Sequence, residues 1–174
     1  MSETEERVGS DQGGISILSS LKERRQQVVE EQVKRLPVPR WSDPTIVVIY
    51  KPVEHQFIRQ AQSRVEKSGK DKKAEAEVEA NADILIRGCV AVVGVIDGKD
   101  YSLRLGDEYG EPTKFDQDLA DNLGVEGVGG RPPTARQVVR SLFVTDGDIL
   151  SAATEVISFS GYREAEADST ILGE

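Results

Sequence analysis

The chain has 174 residues, about the length of one ordinary domain, and this is enough to bury a hydrophobic core. Its charged fraction of 30% is above the globular norm and its hydrophobic fraction of 37% is below it, so we expect part of the chain to lie outside the core. The net charge of -9 would repel a phosphate backbone, so non-specific nucleic-acid binding is not expected.

The N-terminal part divides into a polar arm and an amphipathic helix. Residues 1–14 contain no periodic apolar positions and end in two glycines, so we predict a disordered arm. From Ile15 to Leu36 apolar residues recur at helical spacing, which predicts a helix that Pro37 ends. A single globular domain is expected over residues 15–162, followed by a flexible tail over residues 163–174.

The least polar part of the chain is the segment LPVPRWSDPTIVVIYKP, residues 36–52. It holds four of the seven prolines and the only tryptophan. Pro39 and Pro44 bracket Trp41, for which an extended conformation is expected, and residues 45–51 read as a strand. This segment either packs into the core or forms an exposed apolar surface that binds a partner protein. For the second interpretation, the candidate contact residues are Trp41, Ile49, Tyr50 and Phe57.

The middle of the chain predicts two helices and a hairpin. Apolar residues at helical spacing predict a short helix over 53–65 and a longer one over 74–93. A hairpin over 92–105 is predicted around Asp97-Gly98, because this pair readily adopts the positive backbone angles of a tight turn.

The last third reads as helical. Thr113 is a candidate cap for a helix that leads to Gly124, and Thr134 with Gln137 forms a candidate capping box for the next helix. Asp148 is the predicted start of the final helix. Together these elements predict an α+β fold, a mainly helical single domain with a small antiparallel or mixed sheet.

No catalytic constellation is visible in the sequence. The only histidine, His55, has no indicated acid–base partner, and Cys89 lies on an apolar face and is expected to be buried. The glycine-rich loop over 124–130 follows a helix rather than a strand, so it does not match a phosphate-binding loop. Asp97, Asp100, Asp107 and Glu108 lack the alternating oxygen ligands and the closing bidentate glutamate of a calcium loop. We therefore expect no enzyme activity, no cofactor and no metal.

The remaining compositional features concern location. A single cysteine excludes an internal disulfide and a cysteine-based zinc site. No stretch approaches the roughly 18 apolar residues of a membrane span, and the acidic N-terminus does not resemble a signal peptide. We expect a soluble protein in a reducing cytoplasm.

The order of these features resembles a known family. A charged helix leads into Leu36-Pro37-Val38-Pro39-Arg40-Trp41, followed by a strand and a helix. Farther on come the segments ADILIRGCV (82–90), FDQDLADNLG (115–124) and ARQVVRSLF (135–143), before an acidic, polar C-terminus. This arrangement, over residues 15–162, resembles the tail assembly chaperones of long-tailed (siphovirus-type) bacteriophages, especially those that infect actinobacteria.

The resemblance implies a non-enzymatic protein of the host cell cytoplasm. It would bind the hydrophobic tape measure protein and keep it soluble while the tail tube polymerises. It also allows contacts with the major tail protein, self-association and a longer form made by ribosomal frameshifting, but implies no nucleic-acid or membrane partner. Two alternatives stay open: a structural tail or head-tail completion protein retained in the virion, and a small enzyme with an unrecognised site.

Overall fold

A computed structural model describes residues 20–25, 27–28, 31–103 and 112–162. The predicted arm over 1–14 and the predicted tail over 163–174 lie outside the described residues. The chain divides into two compact units, residues 1–32 and residues 33–174.

In the first unit, the described residues 20–25, 27–28 and 31 are helical, in agreement with the predicted N-terminal helix. Leu21 and Val28 lie one heptad apart on this segment and are 58% and 48% exposed.

The second unit has the predicted α+β fold. Its described strands form one antiparallel sheet in the order β1-β2-β3-β4. The elements in chain order are β1 (Lys34–Pro37), β2 (Thr45–Tyr50), α1 (His55–Lys67), a 3-10 turn (Lys70–Lys72), α2 (Lys73–Gly88), β3 (Cys89–Ile96), β4 (Lys99–Ser102), α3 (Gln117–Leu123), α4 (Ala135–Phe143) and α5 (Asp146–Phe159). The predicted strand over 45–51 and the hairpin turn at Asp97-Gly98 are confirmed, with backbone φ angles of 50° and 73° in the turn.

The predicted end of the N-terminal helix at Leu36 is wrong. Residues Lys34–Pro37 form edge strand β1, which pairs with β2 so that Leu36 lies opposite Val48. Pro37 is tolerated because the first strand of the sheet can lack one backbone donor. The prolines of the loop between β1 and β2 predicted an extended conformation. The loop instead turns back, with Arg40 at a φ of 74°.

The boundary between α2 and β3 also differs from the prediction. The helix ends at Gly88 rather than near residue 93, and the hairpin therefore begins at Cys89 rather than at 92. Gly88 lies against the end of β2, where its carbonyl accepts a hydrogen bond of 2.9 Å from the Lys51 amide. A Cβ atom at this position would lie 3.0 Å from Val53 Cγ2 and 3.2 Å from the Lys51 carbonyl oxygen, so a side chain larger than that of glycine would require these neighbours to shift.

One face of the sheet carries the main core. Tyr50, Val48 and Val92 point into it and are fully or almost fully buried. The helices supply its other side, including Ile58 of α1 and Leu85 of α2.

The opposite sheet face forms a second, smaller apolar layer. Val47 and Ala91 are only 8% and 7% exposed, although neither belongs to the main core cluster. By the strand register Ile49, Val93 and Val95 share this face.

An ion pair connects the two edges of the sheet across this second face. Arg35 of β1 donates two hydrogen bonds of 2.6 and 2.9 Å to the carboxylate of Asp100 on β4. Strands lie about 4.8 Å apart, so the edges of a flat four-stranded sheet are three such spacings apart. The sheet is therefore curled towards this face.

The helix caps of the last third agree with the sequence only in part. The capping box of Thr134 and Gln137 is confirmed, as is Gly124 at the end of α3 with a φ of 66°. Thr113 is not a cap but is buried at 2% exposure, and Asp116 caps α3 instead. The final helix is capped by Thr145 and begins at Asp146, before the predicted Asp148.

Candidate functional site

The loop between β1 and β2 holds Trp41 in a fixed position. Trp41 Nε1 donates a 2.8 Å hydrogen bond to the carbonyl oxygen of Leu142, near the end of α4. Arg40 Nε donates a 3.0 Å bond to Asp148 of α5. The hydrogen bond from Thr145 and the adjacent Arg40 guanidinium lower the pKa of the Asp148 carboxyl group, so this anchor stays charged. The loop is thus tied to two helices, and the indole ring remains half-buried at the surface.

A groove of about 440 Å³ opens beside the indole ring. We call it the Trp41 groove. Its sides come from four elements that are far apart in sequence, and its apolar lining consists of Trp41, Pro44, Ile46, Leu103, Leu119, Leu123 and Leu142.

Helix α3 forms the far wall of the groove. Leu119 is buried beneath it, while Leu123 is half-buried and faces the opening. The side-chain amide of Asn122 donates a hydrogen bond to the carbonyl oxygen of Leu103, directly after β4. This bond connects α3 to the residue that follows β4, so both lie on the same side of the groove lining.

The four predicted contact residues do not form one surface. Trp41 lines the groove, but Tyr50 is completely buried in the main core and has no exposed area to offer a partner. The expectation of an exposed contact at Tyr50 is therefore wrong, because the inward-facing positions of β2 are covered by the helices. Ile49 is half-buried on the second sheet face, on the side away from the core.

Phe57 lies on α1, away from the residues that line the groove. The Arg87 guanidinium lies 5.5 Å from the centre of its ring and is held there by a 2.9 Å ion pair with Glu54. The hydrogen bond and charge of Arg87 lower the pKa of the Glu54 carboxyl group. Arg87 thus shields one face of Phe57, which leaves Trp41 as the only one of the four on an open apolar groove.

The described residues provide little for acid–base or nucleophilic chemistry. His55 Nε2 lies 2.9 Å from the carbonyl oxygen of Ser160, and its ring contacts Tyr162 edge-on at 5.5 Å. Cys89 is buried, and this burial raises the pKa of its thiol to about 12, so it is protonated at neutral pH. Within the ranges given above, no three His, Cys, Asp or Glu side chains are grouped so that they could hold a metal ion. The groove itself can bind apolar side chains. The polar side chains of its lining are Ser102, Asn122 and the indole N–H of Trp41, and the last two donate hydrogen bonds within the fold, to Leu103 and Leu142.

Comparison of the chain with models of known protein families, with curated proteins and with solved structures found no match. Among the described residues no helix combines the length and the apolar character needed to cross a bilayer.

Sequence reasoning identified Trp41 but missed its neighbours in the groove. Leu119 and Leu123 are apolar positions of the predicted helix that leads to Gly124, and Leu142 is an apolar position of the next predicted helix. Helical periodicity indicates that such residues are on an inward face, but it does not indicate which of them line an open groove. Leu103 and Asn122 carried no signal in the sequence.

Proposed function

We propose that this protein is a non-enzymatic tail assembly chaperone of a long-tailed bacteriophage, acting in the host cell cytoplasm. Its client is the tape measure protein, which it binds and keeps soluble while the tail tube assembles. The proposal starts from the resemblance described above. The single structural observation that supports it is the Trp41 groove, an open apolar surface on a protein with a net charge of -9.

A groove of this kind suits a holding function. The client presents long apolar helical segments, and an amphipathic helix can insert anchors at positions i, i+3, i+4 and i+7 into a hydrophobic groove. A half-buried tryptophan offers a large contact area that loses little conformational entropy on binding. The net negative charge of the chaperone limits its own aggregation while this surface is free.

The test is co-expression with the candidate tape measure protein from the same phage genome, measuring the soluble fraction of the client. We expect the soluble yield to rise with the chaperone and to fall back with the Trp41→Ala variant. Phe57→Ala is the matched control, because it removes a half-buried aromatic ring outside the groove.

Folding of each variant is checked by its thermal unfolding midpoint. If Trp41→Ala fails to fold, Leu103→Asn replaces it, since this side chain is half-buried on the groove wall. An unchanged client yield with well-folded groove variants would contradict the assignment of the groove. No rise with the wild-type chain would contradict the chaperone function itself.

Mass spectrometry of purified phage particles decides between a chaperone and a structural tail or head-tail protein. A chaperone is expected to be absent from mature particles, or nearly so. A copy number comparable with that of a tail component would overturn the proposal.

A further inference from the structure

The turn that connects α4 to α5 contains a strained residue. Val144 has a φ of 65° and a ψ of -44°. Across it, the amide of Thr145 donates a 2.7 Å hydrogen bond to the carbonyl oxygen of Phe143. These features define a γ-turn with a positive central φ, which is the rare and strained form. The strain is greatest for a β-branched residue such as valine, because a positive φ brings its side chain against the backbone.

The fold explains the backbone conformation of this turn. The amide of Val144 donates a 3.2 Å hydrogen bond to the carbonyl oxygen of Arg140, which ends α4. On the other side Thr145 caps α5, since its hydroxyl accepts a hydrogen bond from the Asp148 amide and donates one of 2.7 Å to the Asp148 carboxylate. Both helix ends are therefore fixed, and a single residue has to join them.

The fold does not explain why this residue is a valine. Val144 is 61% exposed, and it belongs neither to the buried core nor to the apolar residues packed against it. Glycine adopts a positive φ without strain, so glycine would give a more stable turn. Strained residues cluster at sites that bind ligands or partners. An exposed isopropyl group that adds strain and no core packing is therefore best explained by a contact outside the fold.

The strained turn is attached to the loop that holds Trp41. The indole N–H of Trp41 donates its hydrogen bond to Leu142, two residues before Val144. Arg40 forms its ion pair with Asp148, four residues after Val144. Arg40 also has a positive φ, of 74°, and the third described non-glycine residue with a positive φ lies in the hairpin turn, where its type favours that angle. Outside the hairpin, this strain is therefore concentrated where the two loops meet.

We propose that Val144 is a contact residue for the client, and that the strained turn holds its side chain outward for this purpose. The group that it contacts is an apolar side chain of the tape measure protein. This inference rests on the proposed function and deepens it, because it adds the α4–α5 turn to the surface that binds the client. Valine makes the turn less stable than glycine would, and it supplies the apolar contact that glycine lacks.

Two substitutions separate the contact from the strain. Val144→Thr keeps a β-branched side chain of nearly the same shape, so the strain remains, but one methyl group becomes a hydroxyl. Val144→Gly removes both the side chain and the strain. Val128→Thr is the matched control. Val128 is 75% exposed, lies in the glycine-rich loop before α4 and does not have a positive φ.

The relative affinity for the client is measured by competition. The wild-type chain and one variant carry tags of different length and are co-expressed with a limiting amount of the affinity-tagged candidate tape measure protein from the same phage genome. The ratio of the two chains in the purified complex, divided by their ratio in the soluble lysate, gives the ratio of their affinities. A repeat with the tags exchanged removes any effect of the tags.

We expect the wild-type chain to be favoured about fourfold over Val144→Thr, which is the effect of about one buried methyl group. It should be favoured at least about tenfold over Val144→Gly, which loses the whole side chain. Val128→Thr should compete equally with the wild-type chain. The melting temperature should be unchanged in Val144→Thr and raised in Val144→Gly, so that the weakest client binder is the most stable protein.

Equal competition by Val144→Thr would overturn the inference. A loss of the same size for Val128→Thr would assign the effect to exposed valines in general and would also overturn it. A change in the oligomeric state of Val144→Thr without client, seen by size-exclusion chromatography, would assign the contact to a second copy of the chain instead. If the wild-type chain itself retains no client, the chaperone function fails too, so failure of this inference and failure of the function can be distinguished.

Discussion

Asp83 connects three helices, and its replacement by asparagine gives a sharp test of the packing. From α2, its carboxylate accepts two hydrogen bonds of 2.7 Å from Arg136 of α4 and forms a 2.9 Å ion pair with Arg64 of α1. The side chain is only 15% exposed. Burial by itself would raise the pKa of Asp83, but the hydrogen bonds and charges of Arg136 and Arg64 outweigh it, so the pKa is lowered.

The expected loss of stability follows from these contacts. Hydrogen bonds to charged groups contribute about 1.5–3 kcal/mol each in net terms. Both arginines are partly exposed, at 54% and 38% for Arg64 and Arg136, so water can solvate them once the charge is gone. We therefore expect Asp83→Asn to lower the free energy of unfolding by about 2 kcal/mol, the value for about one such bond, because the amide oxygen of asparagine still accepts the other. For a chain of this length this lowers the melting temperature by about 4–8 °C.

The pH dependence has a defined sign. Because the folded-state pKa of Asp83 is depressed, its contribution is fully present above the unfolded pKa, about 3.9. The contribution is lost as the pH falls through the lower folded-state pKa. The stability difference between wild type and Asp83→Asn should therefore be constant from about pH 7 to pH 5 and shrink below about pH 4.

The measurement is urea unfolding followed by circular dichroism at a series of pH values. Glu75→Gln is the control, because its ion pair with Arg140 at 2.6 Å is formed by a 60% exposed carboxylate. Exposed pairs of this kind contribute about 0–1 kcal/mol. A loss for Asp83→Asn no larger than for Glu75→Gln, or a difference that does not change down to pH 3, would refute this reasoning.

Three further predictions concern single side chains. Tyr50→Phe should be neutral or stabilise the fold by up to about 1 kcal/mol in urea unfolding, because the buried hydroxyl has no hydrogen-bond partner among the described residues and its desolvation is uncompensated. A loss above about 1 kcal/mol would reveal a partner for the hydroxyl. Val144→Gly should raise the melting temperature by about 2–4 °C. Val144 is β-branched and 61% exposed, and it has a φ of 65°, which glycine adopts without strain. A lower melting temperature would contradict that account. Burial raises the pKa of the Cys89 thiol to about 12, so a thiol reagent at pH 8 should react with it only at the rate of unfolding. Rapid labelling of the native protein would show that the site opens.

Much of the local structure could be predicted because its signals lie within a few residues of each other. Thr134 and Gln137 are three positions apart and satisfy each other's backbone groups, so their capping box is visible in the sequence. Asp97-Gly98 supplies the two positive φ angles of its turn from two adjacent residues whose types favour them.

Errors occurred where a distant segment decided the local conformation. Lys34–Pro37 continues the apolar pattern of the preceding helix, yet it is a strand because β2 offers its backbone groups as partners. Cys89 continues the pattern of α2, but its backbone lies beside Tyr50 of β2. Thr113 has the composition of a cap, and the structure buries it instead, with its carbonyl accepting a 2.7 Å bond from the Val92 amide.

By itself, the sequence determined the fold class, the acidic charge, the position of most helices and strand β2, and the single tryptophan in a proline-rich loop. Only the tertiary structure decided that Trp41 faces an open groove while Tyr50 lies in the core. It also decided that Arg35 and Asp100 meet across a curled sheet. The physical reason is that helical periodicity and turn propensity act over a few residues, whereas a groove or a sheet face is formed by residues that the chain brings together from far apart.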